Sequence, residues 1–287
     1  MRRPRRAAAP LPALLAALLY IAVLLPGAAL AAGETTTGAA TPGETAAGES
    51  GYGESSGQVE VGEGGAVGPA QRPQLLLIHG GSFLYEDPTF EALTRERAIA
   101  AGFVPHYVTY PLGNLPGAVD RVRAEARRLR EKFGLDRVYA YGSSAGGTLA
   151  ALLSGDDLVA AAVAKAPISD LTTWEWPLTK YGVEYWGSLG VDLADRERLS
   201  PIRRLQLAPL LIIQGRADHV VPAAMNETFA AAYPRVSLWL VAGGHSTERV
   251  RPFLITRAMQ WLARIAVEEA AATHPTPSPG VLIPPTP

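Results

Sequence analysis

The stretch Tyr141-Gly142-Ser143-Ser144-Ala145-Gly146-Gly147 decides the interpretation of this chain. It matches the pattern Gly-x-Ser-x-Gly with Ser144 at its centre, between an apolar run and the helix-forming segment 148–153. Small residues on both sides permit a sharp turn from strand to helix, which lifts a serine hydroxyl above a sheet at a helix N-terminus. Ser143 lacks this glycine spacing. We therefore predict that Ser144 is a nucleophile and not part of a structural Gly/Ser turn.

Apolar runs and amphipathic stretches alternate along the middle of the chain. Continuous apolar runs, typical of strands buried on both faces of a parallel sheet, occupy residues 75–78, 103–110, 137–141, 159–166, 210–213 and 236–241. Helices are expected over residues 88–101, 116–133, 145–153, 222–233 and 247–271. This alternation predicts an α/β fold, a doubly wound and mostly parallel sheet with helices on both faces. In such a sheet the active site gathers at the carboxyl ends of the strands.

Two loops at those strand ends carry the side chains that a serine nucleophile needs. Asp218 follows the run 210–213, and His245 lies on a glycine-rich loop after the run 236–241. A serine hydroxyl is a poor nucleophile until a base takes its proton, and a histidine base needs a carboxylate that fixes its tautomer. We therefore predict that Ser144 attacks, His245 acts as the base and Asp218 orients it. A helix cap or turn is the alternative role for Asp218.

A second glycine-rich loop, His79-Gly80-Gly81-Ser82-Phe83, follows the first apolar run. Glycines let a backbone approach a substrate oxygen closely, and backbone N–H groups stabilise the negative charge that develops there. Ala145, the residue after the nucleophile, supplies a further N–H. We predict that Gly81, Ser82 and Ala145 form an oxyanion hole. His79 is interpreted as a structural residue that braces the loop.

These features resemble the α/β-hydrolase superfamily over about residues 72–272. Within it the chain is similar to the esterase/lipase and formamidase branch, and the matching elements are His79-Gly80-Gly81, Tyr110-Pro111-Leu112, the turn 142–146, Asp218 before Val221-Pro222, and His245. Residues 166–170 and the stretch around Asp218 are also similar to catalytic domains of the prolyl-oligopeptidase type. The chain has Ser82 where many of these relatives have a third glycine. The resemblance implies a serine hydrolase, and its chemistry needs no metal and no organic cofactor.

Aromatic residues concentrate in the segment 171–207, which is longer than a simple crossover. They are Trp174, Trp176, Tyr181, Tyr185 and Trp186. One interpretation is a small helical cap in which the three tryptophans and Tyr181 line a substrate pocket. The other is that these rings simply pack on the core. A small cap favours short acyl chains over long-chain lipids.

Composition and charge exclude several classes of protein. The 287 residues include no cysteine, which excludes disulfide scaffolds, thiolate zinc sites and a cysteine nucleophile. A formal net charge of −1 provides no field that would attract nucleic acid. The 29 glycines and 24 prolines exceed the usual share, so either the fold is rich in tight turns or part of the chain is not folded.

The two ends have the composition of segments outside a folded domain. Residues 1–31 combine four early arginines, an apolar run and small residues, and they predict a signal peptide, with an uncleaved membrane anchor as the alternative. Residues 32–71 predict a disordered acidic linker, and residues 273–287 a disordered proline-rich tail. One catalytic domain is expected over residues 72–272. Export from a bacterial cell follows from the signal.

Together these patterns predict an exported serine hydrolase. It would cleave small-molecule carboxylic esters, of short acyl chain, through an acyl-enzyme intermediate. A serine peptidase that acts on acyl-peptides or dipeptides is the alternative within enzymes. A non-catalytic binding protein with the same fold is the alternative from a different class. No nucleic-acid partner is expected, and the sequence is silent on the oligomeric state.

Overall fold

The computed structural model describes residues 72–273. The predicted signal peptide, the linker and residues 274–287 of the predicted tail lie outside these residues. Within them, six strands form one sheet: β1 (Gln74–Ile78), β2 (Val104–Val108), β3 (Val138–Ser143), β4 (Ala161–Lys165), β5 (Leu210–Gly215) and β6 (Val236–Val241). Their order is β2-β1-β3-β4-β5-β6, and every neighbouring pair is parallel. Each strand overlaps a predicted apolar run, so the α/β class and the parallel sheet are confirmed.

Helices connect the strands and cover the sheet. In the described part of the chain they are α1 (Phe90–Ala100), α2 (Leu115–Phe133), α3 (Ala145–Gly155), α4 (Trp176–Tyr181), α5 (Tyr185–Ser188), α6 (Leu193–Arg198), α7 (Ala223–Ala232), α8 (Thr247–Val250) and α9 (Phe253–Thr273), with short 3-10 turns at Leu135–Arg137 and Pro201–Arg203. The start of α2 is capped by Asn114, whose side-chain oxygen accepts the Gly117 N–H at 2.9 Å. Among residues 72–273, no helix is long and apolar enough to cross a membrane.

The strands send alternate side chains into two apolar layers, one on each face of the sheet. Leu76 and Ile78 of β1 belong to the layer that α2 and α3 cover. Leu75 and Leu77 belong to the opposite layer, which α1 and α9 cover. Both faces are covered, so the central strands are buried throughout and the sheet is doubly wound, as predicted.

The prediction of one helix over residues 247–271 is wrong in one respect. Two helices occupy this stretch, because Arg251 and Pro252 separate α8 from α9. Proline lacks a backbone N–H, and its ring collides with the preceding helical turn, so a new helix begins after Pro252. The break leaves α8 as a separate short helix directly behind the loop that carries His245.

The segment 171–207 folds as short helices. Trp174 and Trp186 are nearly fully buried and belong to the core layer, which agrees with the second interpretation, packing on the core, for these two rings and not with a pocket wall. The Trp174 indole N–H donates to the Val220 carbonyl at 2.7 Å, and the Arg196 guanidinium lies over the Trp186 ring. Burial of large apolar rings, together with Leu171, Leu189 and Leu199, stabilises the cap. Only Trp176 and Tyr181 stay partly exposed.

Candidate active site

The turn between β3 and α3 holds Ser144 in a strained conformation. Its φ of 55° and ψ of −118° lie outside the regions that a serine ordinarily adopts. The Ser144 N–H donates to the Lys165 carbonyl of the neighbouring strand at 2.7 Å, which ties the turn to the sheet. Ser144 therefore stands at the carboxyl end of β3, at the first turn of α3, as the sequence pattern requires.

The flanking glycines are needed because the backbone passes close to itself at this turn. A Cβ on Gly142 would lie 2.1 Å from the Gly146 carbonyl oxygen, and a Cβ on Gly146 would lie 2.1 Å from the Ile78 carbonyl oxygen. Both distances are far shorter than any contact a methyl group tolerates. The turn can therefore close only with glycine, which has a hydrogen in place of Cβ, at both positions.

Replacing Gly146 by alanine is expected to lower the free energy of unfolding by at least about 2 kcal/mol, because the new methyl group collides with fixed backbone. The matched control is Gly187→Ala, since a Cβ on Gly187 meets nothing within 4 Å. That control should stay within about 0.5 kcal/mol of the parent. Urea unfolding followed by far-UV circular dichroism measures both. Equal midpoints for the two variants would contradict the close packing of the turn.

The structure brings the side chains of Ser144, His245 and Asp218 into one hydrogen-bonded chain. His245 Nε2 lies 3.0 Å from Ser144 Oγ, and His245 Nδ1 lies 2.8 Å from Asp218 Oδ2. A carboxylate can only accept, so Nδ1 carries a hydrogen and donates it to Asp218. Nε2 is then free to accept the proton of the serine hydroxyl. This is the arrangement in which a histidine can act as a general base towards a serine.

Asp218 is held by donors on both carboxylate oxygens. Oδ1 accepts the backbone N–H groups of Val220 and Val221 at 2.9 Å each, and Oδ2 accepts the Gln214 side-chain amide at 3.0 Å. Oδ1 therefore has the turn role that was the alternative for Asp218, while Oδ2 faces His245. Burial is the largest influence and would raise the pKa of Asp218, but the hydrogen bond and charge of His245, together with the backbone donors, lower the pKa overall. Asp218 is an anion at neutral pH.

A buried ion pair lies behind the histidine loop. The ammonium group of Lys165, at the end of β4, is 2.9 Å from a carboxylate oxygen of Glu248 on α8, and it also donates to the backbone carbonyl of His245. Both side chains are almost fully buried. Burial is the largest cause that lowers the pKa of His245 below its usual 6.5, and the Lys165 cation is the second; Asp218 and Glu248 oppose them. His245 is therefore neutral at pH 7, as a general base has to be.

The pH profile should reflect this neutral histidine. If His245 is the base, kcat/KM for an ester follows the neutral fraction of its imidazole and falls as the pH drops through its pKa. Because that pKa is lowered, the acid limb should have its midpoint below pH 6.5, with full activity at pH 7. Initial rates with p-nitrophenyl butyrate between about pH 4.5 and pH 8 measure the limb. A midpoint above pH 6.5 would contradict the described surroundings of His245.

The predicted oxyanion loop lies directly against the turn that carries Ser144. A Cβ on Gly80 would lie 3.3 Å from Ser144 Cβ, which shows how closely the two loops approach. Gly81 has a φ of 121° and Ser82 a φ of 52°, so both stand in the left-handed half of conformational space. Within residues 72–273, the backbone N–H groups of Gly81, Ser82 and Ala145 donate to no protein acceptor. These N–H groups are available to a substrate oxygen, as the prediction requires.

His79 and Tyr110 brace the base of this loop. Their rings stack with centroids 4.2 Å apart, and His79 Nδ1 donates to the Gly80 carbonyl at 2.7 Å. Burial, the largest influence, lowers the pKa of His79, so its ring is neutral and can form this contact without charge. The structural role predicted for His79 agrees with this position. No group of three or more His, Asp or Glu side chains among residues 72–273 could hold a metal ion.

Three residues that hold the site were missed by sequence reasoning. They are Lys165, which contacts His245, Gln214, which contacts Asp218, and Glu248, which pairs with Lys165. One signal was available, because Lys165 is a charged residue inside the apolar run 159–166, and a charge on a buried strand has to be paired. Its partner could not be found in this way, since Glu248 comes from a distant part of the chain.

Comparison with known proteins agrees with this architecture. A model of the prolyl oligopeptidase family matches residues 123–238, which include the turn with Ser144 and the loop with Asp218. No curated protein matches the chain. Among solved structures, the propionate-bound esterase 2 of the planctomycete Thermogutta terrifontis is 22% identical, covers 69% of this chain and 83% of its own, and has a TM-score of 0.57. Its apo form is 23% identical, covers 70% of this chain and 85% of its own, and has a TM-score of 0.58.

The chain has the α/β-hydrolase fold. At this level of identity the likeness to the esterase structures shows the shared fold. The same esterase phosphonylated by sarin gives a similar result, with 20% identity, a TM-score of 0.58, and coverage of 72% of this chain and 86% of that one. The match to the prolyl oligopeptidase family and the shared fold together support a serine hydrolase.

Proposed function

We propose that this α/β-hydrolase cleaves carboxylic esters with Ser144, His245 and Asp218 as its catalytic triad. The observation that carries the proposal is the continuous hydrogen-bonded chain from Ser144 Oγ through His245 to Asp218, with distances of 3.0 and 2.8 Å. A serine held in strained backbone geometry beside a neutral histidine has no evident structural purpose. All three members are present, which argues against a non-catalytic binding protein.

The proposed reaction has two halves. Ser144 Oγ attacks the ester carbonyl carbon while His245 Nε2 takes the hydroxyl proton, and the oxyanion is bound by the N–H groups of Gly81, Ser82 and Ala145. The C–O bond to the alcohol then breaks, and His245 returns the proton to that alcohol. In the second half, water attacks the acyl carbon while His245 takes a proton from the water. The bond to Ser144 Oγ then breaks, His245 returns the proton to Ser144 Oγ, and the acid leaves. Asp218 stabilises the imidazolium in both halves.

We propose short acyl chains as the substrate class. The cap is small, and its largest rings, Trp174 and Trp186, fill its interior and leave little room for a long acyl tunnel. The esterase 2 of Thermogutta terrifontis has been solved with propionate and with butyrate bound, which are short acids. A peptidase acting on acyl-peptides or dipeptides is the second candidate, and the match to the prolyl oligopeptidase family favours it.

Substrate profiling separates these candidates. The purified protein is assayed with p-nitrophenyl acetate, butyrate and decanoate, and with p-nitroanilides of alanine and of a blocked Gly-Pro dipeptide. We expect kcat/KM for butyrate to exceed that for decanoate by about 10-fold or more, and no measurable anilide hydrolysis. Higher kcat/KM on a p-nitroanilide than on any ester would replace the esterase by the peptidase. No turnover of either class, with no labelling by a fluorophosphonate, would overturn both.

We also propose that the protein is exported. The support is the sequence of residues 1–31, with its early arginines, apolar run and small residues. Expression of the full chain in a bacterial host, followed by fractionation, tests the proposal. A form outside the cytoplasm with a new N-terminus close to residue 32 is expected. Full-length protein that stays in the cytoplasm would contradict it, and full-length protein in the membrane would indicate an uncleaved anchor.

A further inference from the structure

Five consecutive carbonyl groups of the oxyanion loop each accept a hydrogen bond. The His79 carbonyl accepts from the Tyr110 hydroxyl at 2.9 Å, and the Gly80 carbonyl from His79 Nδ1 at 2.7 Å. The Gly81 carbonyl accepts from the backbone N–H groups of Leu84 and Tyr85, at 2.9 and 3.1 Å. The Phe83 carbonyl accepts from the backbone N–H of Gly113, in the loop after β2, at 2.8 Å. No carbonyl of this loop is left free to turn.

The remaining carbonyl, that of Ser82, is held from the cap. Its partner is the hydroxyl of Tyr185, the first residue of α5, which donates at 2.8 Å. The Tyr185 ring is 1% exposed and packs edge-on against the ring of Trp174, so it has little freedom to move. Tyr185 is thus a rigid donor that reaches from the cap to the loop beside the nucleophile.

Holding a carbonyl also orients the neighbouring N–H. A trans peptide group is planar, so its N–H points opposite to its C=O, and a fixed carbonyl fixes both. The hydrogen bond from Tyr185 therefore sets the peptide plane between Ser82 and Phe83. The plane before it carries the Ser82 N–H and the Gly81 carbonyl, which the N–H groups of Leu84 and Tyr85 hold. The two planes meet at the Cα of Ser82. Tyr185 on one plane and these two N–H groups on the other therefore hold the dihedral angles of Ser82 between them.

The backbone at this point needs such support. Ser82 and Phe83 have φ values of 52° and 61°, and neither is glycine. A side chain in the left-handed region is strained by about 1–3 kcal/mol for each residue. Without the bond from Tyr185 the Ser82–Phe83 plane can turn and the strain at Ser82 can relax. Only the two bonds to the Gly81 carbonyl then oppose a change in the direction of the Ser82 N–H.

We propose that Tyr185 is a positioning residue that keeps the oxyanion hole in its active geometry through the carbonyl of Ser82. The inference rests on the ester hydrolysis proposed above. It makes the cap part of the catalytic machinery, because one cap side chain orients the groups that bind the developing oxyanion. Donors that are fixed in advance need no reorganisation when the charge appears, so their alignment affects the transition state more than the bound substrate.

The test compares Tyr185→Phe with Tyr139→Phe. Both rings are fully buried, and each hydroxyl donates to a backbone carbonyl at 2.8 Å, but Tyr139 contacts Asp136 at the opposite end of the sheet. For p-nitrophenyl butyrate we expect Tyr185→Phe to lower kcat about 10-fold with KM within about 2-fold, which is less than the loss of a whole donor. Tyr139→Phe should change neither by more than about 2-fold.

Affinity for a transition-state analogue distinguishes positioning of the oxyanion hole from a purely structural role, which would leave that affinity unchanged. A trifluoromethyl ketone forms an oxyanion with the serine, so its Ki should rise in Tyr185→Phe by about the same factor as kcat/KM falls. The melting temperatures of both variants should remain close to each other. Equal kinetics for the two variants, or a lower kcat with an unchanged Ki, would overturn the role of Tyr185. A parent protein that hydrolyses no ester would instead overturn the proposed function.

Discussion

Replacing Ser144 by alanine is expected to lower kcat for p-nitrophenyl butyrate by a factor of about 10⁴–10⁶. The variant keeps the strained turn, the histidine and the oxyanion donors, but it has no oxygen that can form the acyl-enzyme. Steady-state rates with a short ester, together with labelling by a fluorophosphonate and mass spectrometry, measure both consequences. No adduct should form, because the phosphorus reagent needs the same hydroxyl.

Ser143→Ala is the matched control. Ser143 is the adjacent residue and is buried, and its hydroxyl lies 3.4 Å from Glu248, away from His245. Loss of that weak contact should leave kcat within about 3-fold of the parent, because long hydrogen bonds contribute little. Labelling that persists in Ser144→Ala and disappears in Ser143→Ala would show that Ser143, and not Ser144, is the nucleophile. The kcat of His245→Ala should fall close to that of Ser144→Ala, since members of a triad act as a unit.

Replacing Asp218 by asparagine is expected to lower kcat about 10⁴-fold, although the side chain keeps its size and shape. The structure determines which way the amide must face. Oδ1 accepts two backbone N–H groups, of Val220 and Val221, and these donors cannot reverse. The amide oxygen therefore stays there and the NH₂ group takes the place of Oδ2. It then faces His245 Nδ1, which has to give up its hydrogen, and the proton moves to Nε2.

A histidine with its proton on Nε2 cannot accept the serine proton, so the loss is one of tautomer and not of folding. Asp170→Asn is the matched control, because Asp170 also accepts a backbone N–H two residues later, at 2.9 Å, and has no contact with His245. That variant should keep kcat within about 2-fold. Equal melting temperatures with unequal rates are the expected pattern. A kcat for Asp218→Asn within 10-fold of the parent would exclude Asp218 as the orienting carboxylate.

Several features could be predicted because they depend on local properties of the chain. The central strands are buried on both faces, so they appear as mostly apolar runs. The turn at Ser144 needs small residues at 142 and 146, where a Cβ would meet backbone at 2.1 Å. Asp218 and His245 follow their strands directly, and parallel strands bring their carboxyl ends to one edge. Short-range rules were sufficient in each of these cases.

The positions of the cap aromatics could not be predicted in this way. Tyr185 was only one of five aromatic residues in a short segment, and nothing in its spacing distinguishes it from Trp176 or Tyr181. Aromatic rings suit a pocket wall and a core equally well by composition. Which of them is buried depends on how three short helices pack, and this is a property of the assembled fold. The break at Pro252 is different, because it follows from the missing backbone N–H of proline and is therefore a local property of the chain.

The amino-acid sequence by itself determined the sheet, the nucleophile turn and the order of serine, aspartate and histidine, since each is set by side-chain size or burial within a few residues. Only the tertiary structure decided which distant groups meet. Tyr185 contacts Ser82 across 103 positions of the chain, and Lys165 joins Glu248 behind the histidine. Hydrogen bonds and ion pairs depend on distances of a few ångströms, and such distances between remote residues are fixed only when the helices pack on the sheet.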